Sequence, residues 1–302
     1  MIICLSFVGV LPEYIVENIH QIRCYYDEEI YLITNDLESI YLKKIEKYDV
    51  IIVDYNNVIS NIFTQTLETN RNKFCIVNKL IGREELFIRC IERFFLLQNL
   101  LKRLNKNDCL FLELDNLIYD DPRNWVDSFS KYELCYMYDN EDRCASGLMY
   151  IKNAEALEGF LNYCLVYINS SNDFLCEMIP LSRYYEINKD TVGILPTYWV
   201  DDNVPPISYL NYNEYNDTIF DAAAIGIYLF GSDPFHTSGK IVKHFKAIWS
   251  KIDYTNQLFD WRIDLKGRKK PYIWNGEKWL LINVLHIHSK ELKSGLSTIL
   301  NL

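Results

Sequence analysis

Ile2-Ile3-Cys4-Leu5-Ser6-Phe7-Val8 opens the chain as an apolar run with a single serine in it. A run this short and this apolar predicts a strand covered on both faces. Gly9 and Pro12 then mark a turn, and the pattern beyond them predicts a helix over 13–26. Ile30-Tyr31-Leu32-Ile33-Thr34 reads as a second buried strand, stopped by Asn35-Asp36. A polar helix is expected over 37–47, and Val50-Ile51-Ile52-Val53 forms a third strand, stopped by Asp54. Strand, helix, strand, helix, strand at this spacing predicts an α/β fold whose first half is a parallel sheet wound in the Rossmann manner. Gly9 is the one glycine in Phe7-Val8-Gly9-Val10-Leu11, so the GxGxxG loop of dinucleotide-binding proteins is absent. A nucleotide bound here is held in another way.

Further along, Phe87, Ile91, Phe94, Leu97, Leu101 and Leu104 recur at three- and four-residue steps, which predicts a helix over 84–104. Asn105-Lys106-Asn107-Asp108 ends it and leads into Cys109-Leu110-Phe111-Leu112-Glu113-Leu114-Asp115, a strand that is apolar until its final residues. Strands are expected at 134–138 and 148–151 with Ala145-Ser146-Gly147 between them, where Ser146-Gly147 is either a simple turn or a place where backbone approaches a ligand closely. A helix is expected over 155–166, a loop over 196–206, a short helix over 221–229 and a closing strand over 278–288. There are no repeats and no low-complexity linker, so one domain over 1–302 with halves 1–117 and 118–302 is expected.

Lys and Arg number 31 against 41 Asp and Glu, a net charge of −10. That balance argues against nucleic acid as a partner, because phosphate binding needs a dense field of cations. The densest basic stretch is Lys266-Gly267-Arg268-Lys269-Lys270, which reads as a solvated turn or as a contact for an anionic ligand. Nine cysteines are scattered without a CxxC pair, the pattern of buried free thiols in a reducing compartment. No apolar run approaches the length of a membrane span, and Met1-Ile2-Ile3-Cys4 lacks the positive start of a signal peptide. A cytoplasmic protein with no transmembrane segment is the expectation.

The chemistry-bearing residues sit at strand ends. On a strand Glu113 and Asp115 point the same way while Leu114 points into the core. Open parallel sheets bind ligands at the carboxyl ends of their strands, and two carboxylates there need a cation or a proton between them. A divalent metal meets that need, and oxygen ligands select Mg²⁺ or Mn²⁺. In the closing strand His286, His288 and Lys290 share parity, so all three project from one face if the strand reaches that far. Imidazole ligates Mn²⁺ and an ammonium neutralises diphosphate.

Phe111-Leu112-Glu113-Leu114-Asp115-Asn116-Leu117-Ile118-Tyr119 resembles the DxD-type motif of GT-A glycosyltransferases in an ExD form. Glu92-Arg93-Phe94-Phe95 resembles the segment that leads into it. Asp221-Ala222-Ala223-Ala224-Ile225-Gly226-Ile227-Tyr228-Leu229, with Gly231-Ser232-Asp233-Pro234, resembles a signature in a group of viral and bacterial GT-A-like transferases. His286-Ile287-His288-Ser289-Lys290 is similar to their C-terminal motif. The likeness runs from residue 2 to about residue 290. It implies a GT-A fold, with a Rossmann-like nucleotide-binding half, a mixed central sheet and an acceptor-binding half. It also implies a metal-dependent hexosyl- or pentosyl-transfer from a nucleoside diphosphate sugar (UDP- or GDP-linked) to a glycan or other hydroxyl acceptor, with Mn²⁺ or Mg²⁺ as cofactor. On that resemblance Asp115 is the firmest metal ligand, Glu113 acts directly or through water, and His286 or His288 completes the shell. Val8, Gly9, Asp36, Arg83, Arg93, Glu113, Leu114 and Lys290 are candidate donor contacts. Asp36 has an equal reading as a strand-ending turn residue, and the two arginines as partners of neighbouring glutamates.

An inverting transferase needs a general base for the acceptor hydroxyl. Asp173 and Glu177, at i and i+4 on a helical face, are candidates, as are Asp221 and Asp233. The sequence departs from the common pattern in having Glu at 113 and in lacking a HxxGxxK tail. Two other readings are a nucleotidyltransferase acting on sugar phosphates and a non-catalytic carbohydrate-binding protein on a degenerate transferase fold. The former normally carries a glycine-rich basic loop after its first strand.

Overall fold

The computed structural model describes residues 1–74, 84–172, 175–233 and 240–300. Arg83, Asp173 and Pro234 lie outside the described residues. In chain order the elements are β1 (Ile2–Phe7), α1 (Ile15–Arg23), β2 (Ile30–Thr34), α2 (Ile40–Ile45), β3 (Val50–Asp54), α3 (Asn61–Asn70), α4 (Glu84–Leu104), β4 (Cys109–Leu112) and β5 (Asn116–Ile118). They continue with α5 (Val126–Phe129), β6 (Leu134–Asn140), β7 (Arg143–Ile151), α6 (Ala154–Ser170), α7 (Met178–Ile187), β8 (Val192–Leu195), β9 (Ile219–Phe220), α8 (Ala224–Phe230), β10 (Phe259–Ile263), β11 (Lys269–Trp274) and β12 (Trp279–His286).

Seven strands form the main sheet in the order β3-β2-β1-β4-β7-β6-β8. Neighbours are parallel except around β7, which runs antiparallel to both β4 and β6. This is the mixed α/β sheet expected from the resemblance. The strand alternation sorts side chains cleanly. Ile3, Leu5, Leu32, Leu110 and Leu112 pack with α1 on one face, while Ile2, Cys4, Ile33, Cys109 and Phe111 pack with α4 and α6 on the other. Phe94 of α4 meets Phe111 edge-on at 6.0 Å and Phe160 of α6 at 5.6 Å. Each ring buried in this way contributes roughly 1.5–3 kcal/mol.

A second sheet has the order β10-β11-β12-β5, with β9 added alongside β12. It starts where the first one ends. β4 stops at Leu112, residues 113–115 turn, and the chain resumes as β5 against β12. The expected strand through Asp115 is therefore corrected: Asn116 N–H donates to Glu113 O at 3.1 Å, closing a turn. Residues 145–147 are corrected in the opposite sense, since they lie inside β7. Strand order reverses beside β1, between β2 and β4, so the carboxyl ends of β1 and β4 flank the crevice where open sheets bind ligands.

The eight described cysteines are free thiols, six of them buried. Burial pushes the Cys90 and Cys164 thiols well up, which suits packing rather than chemistry. No described helix is long and apolar enough to cross a membrane.

Candidate functional site

Three backbone contacts assemble the site from distant segments. Glu113 N–H donates to Gly147 O at 2.9 Å, which holds the 113–115 turn against β7. Ile287 N–H donates to Asp115 O at 2.8 Å. The β5–β12 register sets Asn116 opposite His286. His286 Nε2 thereby arrives 3.1 Å from Asp115 Oδ2 and 3.6 Å from Glu113 Oε2. One ligand atom from each of Glu113, Asp115 and His286 lies within 4.8 Å of the others, a spacing that can hold a metal ion.

A fourth residue fixes the height of His286. Asp221 is buried, and its Oδ1 accepts from the N–H groups of Ala223 and Ile225, both at 2.9 Å. Its Oδ2 accepts from Gly226 N–H at 2.7 Å and from His286 N–H at 3.1 Å. The carboxylate thus ties the start of α8 to the end of β12. It also holds Ala223 at a φ of 106°, a strained conformation for a residue with a side chain. Both oxygens of Asp221 are engaged in holding this junction. Gly226 allows the close approach: a Cβ there would lie 1.9 Å from His286 O. Gly226→Ala is expected to cost about 3 kcal/mol, the upper end of overpacking penalties, or to push β12 away and weaken cation binding. Urea denaturation and Mn²⁺ titration of the variant check this.

The two acidic residues are already paired with cations from the chain itself. Arg93 on α4 pairs with Glu113 Oε1, donates to Ser146 Oγ at 2.8 Å and lies 3.4 Å from Glu177 Oε1. Its guanidinium sits 5.1 Å from the Phe94 ring centre and 5.0 Å from that of Phe111. Lys290 pairs with Asp115 Oδ2. Burial works against the Asp115 carboxylate, but His286 and Lys290 outweigh it and hold its pKa well below the usual range. Burial also works against a charged His286, and Asp115 followed by Glu113 turn the balance upward. The sequence expectation is that two carboxylates here need a cation or a proton between them, and the chain meets part of that need itself. Arg93 and Lys290 supply the counter-charge by folding onto the pair.

His288 takes a different position from the one parity predicts. β12 ends at His286 and the chain turns, so His288 Nδ1 accepts from Asp233 N–H at 3.1 Å. Burial, with His286 and Lys290 nearby, lowers its pKa to about 3 and keeps the ring neutral. Among the described residues, the group spaced so that it could hold a metal ion contains His286 and not His288. Lys290 reaches Asp115 because it sits at a φ of 66° in that turn, not because a strand extends to it.

The remaining expected residues fall into two sets. At the ends of β1 and β2, Gly9 N–H donates to Asn35 Oδ1 at 2.7 Å and Leu11 N–H to Asp36 Oδ2 at 2.9 Å. Asp36 therefore shapes the loop that carries Val8 and Gly9. Leu114 is core, 4% exposed. Glu177 directly precedes α7, which begins at Met178, and its proposed partner Asp173 lies outside the described residues. Burial raises the Glu177 pKa against the pull of Arg93. The basic run at 266–270 is largely spent internally: Arg268 pairs with Asp264, Lys270 with Asp120, and Lys269 lies over Trp261.

Tyr14 was not foreseen. Burial raises its pKa to about 12, and Lys290, Asp115, Glu113 and Asp233 all act on it. Together with Glu17, Lys290 and Lys293 it lines a cleft of about 440 Å³ beside the site. Nothing in its local sequence marks it, since it falls in the turn before α1.

No protein-family model matches the chain, and no curated protein matches it. Among solved structures it is similar to mouse xyloside xylosyltransferase 1 in its apo form, at 11% identity and a TM-score of 0.48, over 81% of this chain and 95% of that one. It is similar to an active-site mutant of LgtC at 12% identity and a TM-score of 0.46, over 74% and 85%. It is also similar to galactosyltransferase LgtC in complex with donor and acceptor sugar analogs, at 13% identity and a TM-score of 0.45, over 100% and 98%. Likenesses this distant carry no assignment of activity, and function is read from the residues of the site.

Proposed function

We propose that the chain is a glycosyltransferase that moves a sugar from a nucleoside diphosphate sugar, UDP- or GDP-linked, to a glycan or other hydroxyl acceptor with Mn²⁺ or Mg²⁺ bound. The observation that carries this reading is the convergence of Glu113, Asp115 and His286 at the carboxyl end of β4, beside the strand-order reversal. The donor set fits a hard divalent cation: Asp115 is ionised, His286 presents Nε2, and Glu113 retains Oε2 while Arg93 takes Oε1. A bound cation of this kind supplies Lewis-acid stabilisation of the charge that develops on the departing diphosphate.

The chain's own residues do the rest. Residues 1–117 form the donor half, where Asp36 and the Val8-Gly9 loop face the nucleoside, and 118–302 form the acceptor half. Lys290, with its side chain 36% exposed, is long enough to leave Asp115 and meet a diphosphate. Arg93 holds Glu113 from below and does not reach for phosphate. Among the described candidates for the acceptor base, Asp221 and Glu177 are committed to structural partners. Asp233, half-buried beside His288 and with interactions of its own, is the proposed base because it lies next to the His286–Lys290 segment rather than for want of partners. A nucleotidyltransferase is disfavoured because Val8-Gly9-Val10-Leu11-Pro12 has one glycine and no basic residue. A reducing, cytoplasmic setting is proposed with this function, supported by the free cysteines.

Transfer or hydrolysis measured across a panel of nucleotide sugars, with and without Mn²⁺, tests the assignment. Absence of turnover together with absence of Mn²⁺-dependent UDP or GDP binding would overturn it. Lys290→Met separates the two roles of that lysine. Mn²⁺ alone is expected to bind about two- to tenfold more tightly, since a competing hydrogen-bonded cation is removed, while Mn²⁺-dependent diphosphate binding weakens. Calorimetric titration reads both, and an unchanged Mn²⁺ affinity would rule out Lys290 as a competitor.

A further inference from the structure

β5 and β12 place Asn116 and His286 directly opposite one another. Antiparallel partners project their side chains from the same face, and here that face meets β7 at Gly147. A Cβ on Gly147 would lie 2.9 Å from Asn116 Nδ2, 3.2 Å from Asn116 Oδ1 and 3.2 Å from His286 Nδ1. All three polar atoms therefore crowd one point over a bare glycine. Asn116 is fully buried, and its two amide atoms and His286 Nδ1 are each buried without a hydrogen-bond partner. Unpaired polar atoms at such a depth are rare in folded proteins, and three together call for a reason. Structural support for the strand does not supply it, because β5 is held here by its main chain: Asn116 O accepts from Asn18 Nδ2 at 2.8 Å.

The opposite edge of the imidazole supplies the reason. His286 Nε2 faces Asp115 at 3.1 Å and Glu113 at 3.6 Å. A ring nitrogen that ligates a cation presents a lone pair, so the proton of the neutral ring must sit on the other nitrogen and be accepted by a neighbouring group. Left to the carboxylates alone, the neutral ring would place its proton on Nε2 and donate it to Asp115. We propose that Asn116 is a positioning residue that accepts the Nδ1 proton of His286 on Oδ1 and thereby keeps Nε2 as the cation-facing nitrogen, with Gly147 leaving the space in which the two side chains meet. This rests on the reading of Glu113, Asp115 and His286 as a cation site. The pairing needs a side-chain movement that brings Asn116 Oδ1 onto His286 Nδ1, two atoms that are each without a partner in this structure.

Asn116→Leu removes the acceptor at similar volume, and Asn116→Asp keeps one. Nitrogen-15 correlation spectra of His286 in the ion-free protein, recorded where the ring is neutral, report the tautomer, and Mn²⁺ titration reports the site. The wild type and Asn116→Asp are expected to carry the proton on Nδ1, and Asn116→Leu on Nε2. Mn²⁺ affinity is expected to fall about 10- to 100-fold in Asn116→Leu, the range seen when the outer partner of a ligating histidine is removed. Gly147→Ala, which wedges a methyl group between the two side chains, is expected to give the same tautomer change without substituting either residue. An Nε2 proton in the wild type, or an Nδ1 proton retained in Asn116→Leu, would overturn the proposal. If the wild type takes up no Mn²⁺ at all, the cation reading falls, and the tautomer result alone decides for or against Asn116.

Discussion

Asp115→Asn is expected to abolish Mn²⁺ binding and Mn²⁺-dependent diphosphate binding, with affinity falling by more than about 100-fold, beyond what loss of an outer-sphere partner produces. The substitution keeps the shape of the side chain and removes the one buried anion on which His286 and Lys290 converge. Turnover should be lost with it, while the fold persists, because the turn is held by main-chain bonds at Glu113, Asn116 and Ile287. The pH dependence of stability provides a second signature. The Asp115 pKa is depressed in the folded protein, so its contribution is present above the ordinary carboxylate value near pH 4 and is lost as pH falls toward the depressed one. Asp115→Asn should lack that component of acid sensitivity. Calorimetric titration at neutral pH and denaturation between about pH 2 and 5 make the measurements. An unchanged Mn²⁺ dependence in the variant would show that the cation is held elsewhere.

The largest stability effect is expected at Arg93. Its side chain is 9% exposed and is the shared counter-charge of Glu113 and Glu177, which are themselves only 20% and 10% exposed. Arg93→Met leaves two nearly buried carboxylates facing each other. Removing one partner of a buried ion pair costs about 3–5 kcal/mol, so the variant should unfold at markedly lower urea. Adding Glu177→Gln should recover part of the loss. Mn²⁺ should raise the melting temperature of Arg93→Met more than that of the wild type, because a cation on Glu113 then replaces the missing guanidinium. A variant as stable as the wild type would mean that the ion pair contributes little and that Phe94 and Phe111 alone hold this region.

Much of this architecture is legible in local pattern. The 84–104 helix matches α4 because its apolar residues keep a period near 3.6 over twenty-one positions. β1, β2, β3 and β4 were marked by short apolar runs with polar stops. The 13–26 and 37–47 helices shrink to α1 and α2, since Cys24 and Glu46 already belong to the closing turns. α7 and the β10–β11 hairpin escaped notice because their sequences mix aromatic, charged and proline residues without a clean period: Met178–Ile187 contains Pro180, and Lys269–Trp274 contains Pro271.

The acid pair and the terminal histidines are equally visible as residue types, but their partnership is not. Alternation along a strand is a property of neighbouring residues, so reading it through Asp115 and on to Lys290 fails where β4 and β12 end in turns. Asp115 meets His286 rather than His288 because the β5–β12 register, joining segments 171 residues apart, places it there. The same long-range packing brings Arg93 to Glu113 and Lys290 to Asp115, so that two protein cations share the carboxylates that could also hold a metal ion. Residue chemistry and periodicity are local and can be read along the chain. Which charge neutralises which in a buried site depends on what the folded sheet brings within a few ångströms, because only there is the dielectric low enough for the pairing to dominate.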